Sequence, residues 1–366
     1  MTTERPLLRT VLVFAVLIGA VVILYYARPF LVPLTFAALF AMLLLPAAQW
    51  LERKGWNRGW ASLGGLLLGL LIAAAIVSLI IWQVSGFVDD ASKIEQQLMG
   101  QFERLRQQIT ARFGLSQQEQ QQLVQSQKAQ TPGKISGFLS GLLSGTATFL
   151  TSTILVFVYV FLFLYLRNRL RRFLLRLIPA GSKSTADDTL VSIQKVARRY
   201  LGGLSLMILC LWVFYSIGFS IVGVKNPFFF AILCGLLEII PFVGNLTGTA
   251  LTAGMALAQG GGTGLLIGIL VTYGTVQFLQ TYILEPLVVG AGVSINPLFT
   301  IAGIVAGELL WGIPGMVLAI PLIGMFKIVC DHVDALEPYG YLMGQDKSEG
   351  GLGDKLKKWL HIGKKS

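Results

Sequence analysis

Two histidines and three cysteines among 366 residues leave little room for metal or nucleophilic chemistry. His332 and His361 both lie near the C-terminus, which removes most metal sites and most Ser-His or Cys-His arrangements from consideration. Cys210, Cys234 and Cys330 sit in or beside apolar runs without ligand spacing, and read as reduced packing residues. Charge is also scarce. Asp, Glu, Lys and Arg make up 13% of the chain, against roughly 25% in a soluble domain. No glycine-rich loop follows a strand, so no phosphate loop for ATP hydrolysis is present. No cofactor is expected.

What the chain has instead is apolar surface. It is 54% hydrophobic with a mean hydropathy of +0.71. A helix needs about 20 apolar residues to cross a bilayer. Eight runs meet or approach that length: about 10–27, 30–51, 60–83, 145–166, 200–223, 227–257, 263–286 and 297–328. The first follows Arg5 and Arg9 like a signal peptide, but no small-residue cleavage site comes after it, so it reads as an uncleaved span. The sixth and eighth are long and contain Pro and Gly, which predicts broken or re-entrant helices. The expected fold is all-α, a polytopic integral membrane protein with about eight transmembrane helices.

The net charge of +11 is distributed unevenly. Arg5 and Arg9, then Arg53, Lys54 and Arg58, then nine basic residues against two acidic between 167 and 199, all fall on one side of an eight-span layout. By the positive-inside rule that side, with both termini, is cytoplasmic. The other side carries Arg28, Lys225 and a long segment with six basic and five acidic residues. In a soluble protein such a charge would suggest nucleic acid. Here the arginines of 167–177 alternate with Leu and Phe, which predicts an interfacial helix on anionic headgroups. Residues 352–361 read the same way.

The layout divides into four regions: a three-span part (1–83), an extracytoplasmic insertion (84–144), a five-span part (145–330) and a cytoplasmic tail (331–366). In the insertion, Phe87, Ile94, Leu98, Phe102, Leu105, Ile109 and Phe113 recur at helical intervals. With a capping box at Ser116–Glu119 they predict a helical hairpin. It serves either as a lid or subunit contact, or as a plain surface linker. A scaffold acting through this hairpin is a competing reading of the whole chain.

Ionisable groups inside a membrane cost roughly 2.5–3.5 kcal/mol each and so point to function. Between residues 200 and 326 there are four: Lys225, at a loop, and Glu238, Glu285 and Glu308. Each glutamate lies beside helix breakers. Glu238 precedes Pro241 and Gly244, with Asn245 next. Glu285 precedes Pro286 and Gly290. Glu308 precedes Gly312, Pro314 and Gly315. Carbonyls freed at such breaks need partners that a solute, ion or water can supply. An echo links two of the sites. Asn226-Pro227-Phe228-Phe229 stands twelve residues before Glu238, and Asn296-Pro297-Leu298-Phe299 twelve before Glu308. With two spans between them, the copies would run in the same direction, as a parallel repeat whose glutamates approach each other. The bland alternative is that each carboxylate only holds the bundle together. An intramembrane enzyme lacks the His or Asp-Asp pair it would need.

Three stretches carry a family resemblance. Glu238-Ile-Ile-Pro241-Phe-Val-Gly244 resembles a Glu-x-Ile-Pro-x-x-Gly motif. Gln277-Phe-Leu-Gln280-Thr-Tyr-Ile-Leu-Glu285-Pro286-Leu-Val-Val-Gly290 resembles a Gln-x8-Pro-x3-Gly segment. Gly312-Ile-Pro314-Gly315 through Pro321 resembles the ending Gly-Ile-x-Gly-x-x-Leu-Ala-x-Pro. All three are similar to the autoinducer-2 exporter family of bacterial permeases. The resemblance implies a homo-oligomeric transport protein of the inner membrane. Taken with the intramembrane glutamates, the expected solute or ion pathway is Glu238, Glu285, Glu308, Asn245, Gln277 and Gln280. The cargo would be a small polar solute, coupled to protons or cations, or a monovalent cation such as sodium or lithium exchanged for protons. One departure stands out. The family often has an acid followed by Asn where this chain has Gln280-Thr281, and a neutral residue where it has Glu285.

Overall fold

The computed structural model describes residues 4–88, 134–241, 243–258, 260–289 and 295–345. The helices anticipated within 89–133 and at 352–361 lie outside the described residues. Among the described residues the regular structure is helical, apart from one isolated bridge between Ile295 and Gly344. The helices are α1 (Glu4–Tyr26), α2 (Arg28–Arg53), α3 (Arg58–Val88), α4 (Lys134–Arg176) and α5 (Lys183–Val222). After them come α6 (Pro227–Leu237), α7 (Val243–Ala258), α8 (Thr263–Leu279), a π-helical segment (Gln280–Val289), α9 (Pro297–Trp311), α10 (Ile313–His332) and α11 (Glu337–Met343). Six described helical stretches are long and apolar enough to cross a membrane; α6 and α9 are shorter. The protein is an all-α polytopic membrane protein.

Both long apolar runs are broken where breakers stand. The sixth run splits into α6 and α7 around Pro241, and the eighth splits into α9 and α10 at Gly312. Gly312 takes φ +67 and ψ −146, a conformation open to glycine alone. The starts of the two pairs also echo each other. Asn226 and Asn296 stand at the N-cap positions of α6 and α9, where only the Asn296 side chain accepts a helix N–H, and Pro227 and Pro297 fill the first helical position, where a missing N–H costs nothing.

The direction of α6 and α7 differs from the one expected. Helix α5 ends at Gly223, whose N–H bonds the Phe219 carbonyl at 3.1 Å. Helix α6 turns back along α5, with Trp212 Nε1 donating to the Ile232 carbonyl at 3.2 Å. Helix α7 then reverses against α6, where Gly248 lies against Cys234. Helix α8 starts back at the Gly223 end: Gly268 faces Val222 and Gly218 faces Thr272. So α6 and α7 leave and return at the same end of α5. At 11 and 16 residues they are about 16 and 24 Å long, short of the roughly 30 Å hydrocarbon core. They form a re-entrant hairpin, not a span.

The second pair, α9 and α10, is also a hairpin, closed where Gly307 and Gly315 place backbone against backbone. It packs on the other half of α5, with Leu318 in a buried cluster with Ala197 and Leu39. Ala197 is about 33 Å along the helix from Phe219, which packs with α6. One span, α8 with its π segment, separates the two hairpins. The parallel repeat is therefore corrected: the two Asn-Pro hairpins sit at opposite ends of α5 and enter in opposite senses. The physical reason is that a reversal at Pro241 consumes a run that length alone reads as a crossing.

Candidate functional site

The tip of the first hairpin is where polarity enters the apolar bundle. Glu238 caps α6, its N–H donating to the Cys234 carbonyl at 3.1 Å. The chain then turns, Ile240 N bonding the Leu237 carbonyl at 2.9 Å, and Pro241 withholds an N–H from any continuing ladder. Helix α7 resumes with Gly244 buried tightly against the end of α6. One residue later, Asn245 points into the junction of α5, α7 and α8.

Two hydrogen-bonded strings meet there. In the first, Tyr215 Oη donates to Asn245 Oδ1 at 3.0 Å, Asn245 Nδ2 donates to Gln277 Oε1, and Gln277 Nε2 donates to Thr281 Oγ1 at 3.3 Å. In the second, Gln280 Nε2 donates to Glu238 Oε1 at 2.7 Å. Tyr215 and Gln280 are almost fully enclosed, at 0% and 2% exposure. The surrounding wall is apolar: Leu211, Phe219, Phe230, Cys234, Val276 and Leu284 form one buried cluster. Buried polar groups in such a wall are normally saturated. Here, besides Thr249 Oγ1 on α7, Glu238 Oε2 and Gln280 Oε1 are buried without a hydrogen-bond partner. Both are acceptors beside one bonded pair, so the site asks for a donor or a cation.

Of the expected pathway residues, Glu238, Asn245, Gln277 and Gln280 converge. Glu285 lies in the π segment and is exposed. Glu308 does not join them. It is exposed on α9, whose main neighbours are α10, α1 and α2. Of the hinge residues, Pro241, Gly244, Pro297, Gly312, Pro314 and Gly315 stand at the breaks or hairpin crossing described above. Pro286 lies within the π segment, and Gly290 lies outside the described residues. Tyr215 was missed by sequence reading. Its signal was present: a phenol set among the Leu, Val, Phe and Ile of the run 200–223 must find a partner once buried.

Residues 12–335 match the family described as the AI-2E family transporter. The chain belongs to that family. Over 165 residues this AI-2E protein is 26% identical to the "Putative transport protein YrrI" of Bacillus subtilis, covering 44% of this chain and 46% of the relative. The Mycobacterium tuberculosis protein MT0215, given the same description, is 35% identical over 112 residues, 30% of each chain. YueF of Bacillus subtilis, also so described, is 26% identical over 160 residues, 44% of this chain and 43% of the relative. The chain thus spans less than half the length of these curated relatives. The family and the relatives indicate transport across a membrane rather than catalysis.

Proposed function

We propose that this AI-2E protein is an inner-membrane permease for a small polar solute, which binds at the tip of the α6–α7 hairpin. The observation that carries this reading is the pair of unsatisfied oxygens, Glu238 Oε2 and Gln280 Oε1. Each unpaired buried acceptor costs roughly 1–3 kcal/mol. A hydroxyl-bearing solute donating to both would recover that cost, and the Tyr215–Asn245–Gln277 string would hold the three helices around it. Glu285, five residues after Gln280 in the π segment, supplies a proton or cation relay. The basic ends of α2, α4 and α5 support a topology with both termini in the cytoplasm by the positive-inside rule. The hairpin then enters from the outer side. Assembly into a homo-oligomer belongs to the same reading.

A second reading draws on the same oxygens. Two free acceptor oxygens on one bonded pair fit a monovalent cation as well as a hydroxyl, which would make the protein a sodium or lithium/proton antiporter. The experiment separates them in proteoliposomes. Stopped-flow light scattering follows entry of neutral polyols, and an internal pH dye follows protons under a sodium or lithium gradient. The permease reading expects accelerated polyol entry, lost in Glu238→Gln and in Gln280→Leu. Proton movement driven by the cation without polyol entry would select the second reading. Equal polyol flux in wild type and both variants would sink the assignment of the site.

A further inference from the structure

The arginines at the basic end of the bundle fall into two groups. Arg167 donates to Glu52 and ties α4 to α2. Arg171 holds Asp187 through bonds of 2.7 and 2.5 Å and ties α4 to the start of α5. These two guanidinium groups are committed to the fold. Arg58, Arg169 and Arg172 are not. Arg58 Nε stands 3.7 Å from Glu52 Oε1, on a carboxylate that Arg167 already holds. Arg172 gives Nε to the Asn168 carbonyl at 3.3 Å, which leaves its two terminal nitrogens. Arg169 has no carboxylate partner among the described residues.

These three line an open cavity of about 520 Å³, together with Trp56, Tyr165 and Glu52. Local structure builds it. Tyr165, Arg169 and Arg172 stand at i, i+4 and i+7 and share one face of α4. Opposite them the chain turns from α2 into α3. Gly55 at φ +93 allows that turn, and Asn57 Oδ1 accepts from Trp60 N at 3.1 Å to start α3. Trp56 and Arg58 are thereby carried to the cavity. Phe161 stacks on Tyr165, with ring centroids 5.8 Å apart, and braces its ring.

Three cationic forks against one neutralised carboxylate select an anion. Guanidinium forks match the oxygens of a phosphate better than a spherical ion. Depth selects the source. Trp50, Trp56 and Trp60 are 55%, 50% and 62% exposed around the same turn. Such a tryptophan belt marks the headgroup level of a bilayer, where a lipid phosphate already resides. We propose that this cavity binds the phosphate of an anionic phospholipid, with Arg58, Arg169 and Arg172 as donors. Trp56 and Tyr165 flank the ester carbons, and the lipid clamps the start of α3 to α4.

Native mass spectrometry of the purified full chain tests this, with phosphatidylglycerol and phosphatidylcholine added separately. Wild type should retain phosphatidylglycerol over phosphatidylcholine. The double variant R169Q/R172Q should weaken phosphatidylglycerol binding roughly 30-fold. R176Q/K183Q removes the same charge outside the cavity and should lose far less. R58Q, on a different helix, probes the same cavity should the double variant fail to fold, and should lose roughly fivefold. Unchanged binding in R169Q/R172Q or R58Q overturns the proposal. So does equal loss in both double variants, which would mean diffuse attraction. Displacement of the lipid by millimolar inorganic phosphate overturns the lipid assignment and moves the site to a soluble phosphate.

Discussion

Replacing Gly244 by alanine separates the shape of the hairpin tip from the chemistry at it. Gly244 is buried one turn past the break, its N–H bonded to the Ile240 carbonyl at 3.0 Å. A methyl group there would fall onto the Leu237 carbonyl oxygen, far inside contact distance, and 3.0 Å from the Glu238 nitrogen. Both atoms belong to the backbone that ends α6, so no rotamer change relieves the clash. Overpacking in a core costs about 1–3 kcal/mol. With only backbone to move, the upper end, about 3 kcal/mol, is expected. Relief requires α7 to retreat from α6 by well over about 1 Å, and a displacement of even about 1 Å can cost about 100-fold in rate. The control is Gly254→Ala on the same helix, where nothing lies within 4 Å of the added methyl. Intrinsic fluorescence melts in detergent and polyol entry into proteoliposomes read out both variants. Gly244→Ala should melt lower and transport about 100-fold more slowly, while Gly254→Ala should match wild type. If the two variants behave alike in both assays, the tight hairpin tip does not shape the site.

Tyr215→Phe removes one hydroxyl from a fully buried ring and leaves Asn245 Oδ1 without its 3.0 Å donor. It should destabilise the protein by about 1 kcal/mol and lower polyol entry severalfold, measured in the same two assays. Gly315→Ala would drive a methyl against the Gly307 backbone at the crossing of the second hairpin. It should lower the melting temperature by an amount comparable to Gly244→Ala. Polyol affinity, read from the concentration dependence of entry, should be unchanged because Glu308 and the second hairpin lie away from Glu238.

Much of this architecture is written in local chemistry. The apolar runs, the breaks at Pro241 and Gly312, and the Asn-Pro starts at 226 and 296 all follow from single residues with strong backbone preferences. What local chemistry does not carry is direction. A run of 31 apolar residues with a proline inside reads the same whether it crosses or turns back. The reversal is decided by tertiary contacts, Gly248 on Cys234 and Gly268 on Val222. The same limit applies to the site. Glu238 and Gln280 are 42 residues apart, and their pairing depends on how α8 lies against the hairpin. Glu308 shows the converse. Its surroundings in sequence copy those of Glu238, yet the opposite sense of its hairpin carries it elsewhere.

The π segment has a consequence in angles. Thr272, Val276, Gln280 and Leu284 are all buried, each four residues after the last. Four residues overshoot one α-helical turn by about 40°, so by Leu284 a regular α-helix would have wound this stripe about 120° off its first residue. Widening the ladder to i→i+5 from Gln280 onward takes up the overshoot of the last step, and Leu284 still faces the buried cluster that holds Tyr215 and Phe219. The segment is therefore a phase correction. Deleting one residue within it would keep the register upstream and rotate everything downstream, Glu285 included, by roughly a quarter turn. A shift of that kind changes which side of the helix carries the charge without changing a single side chain.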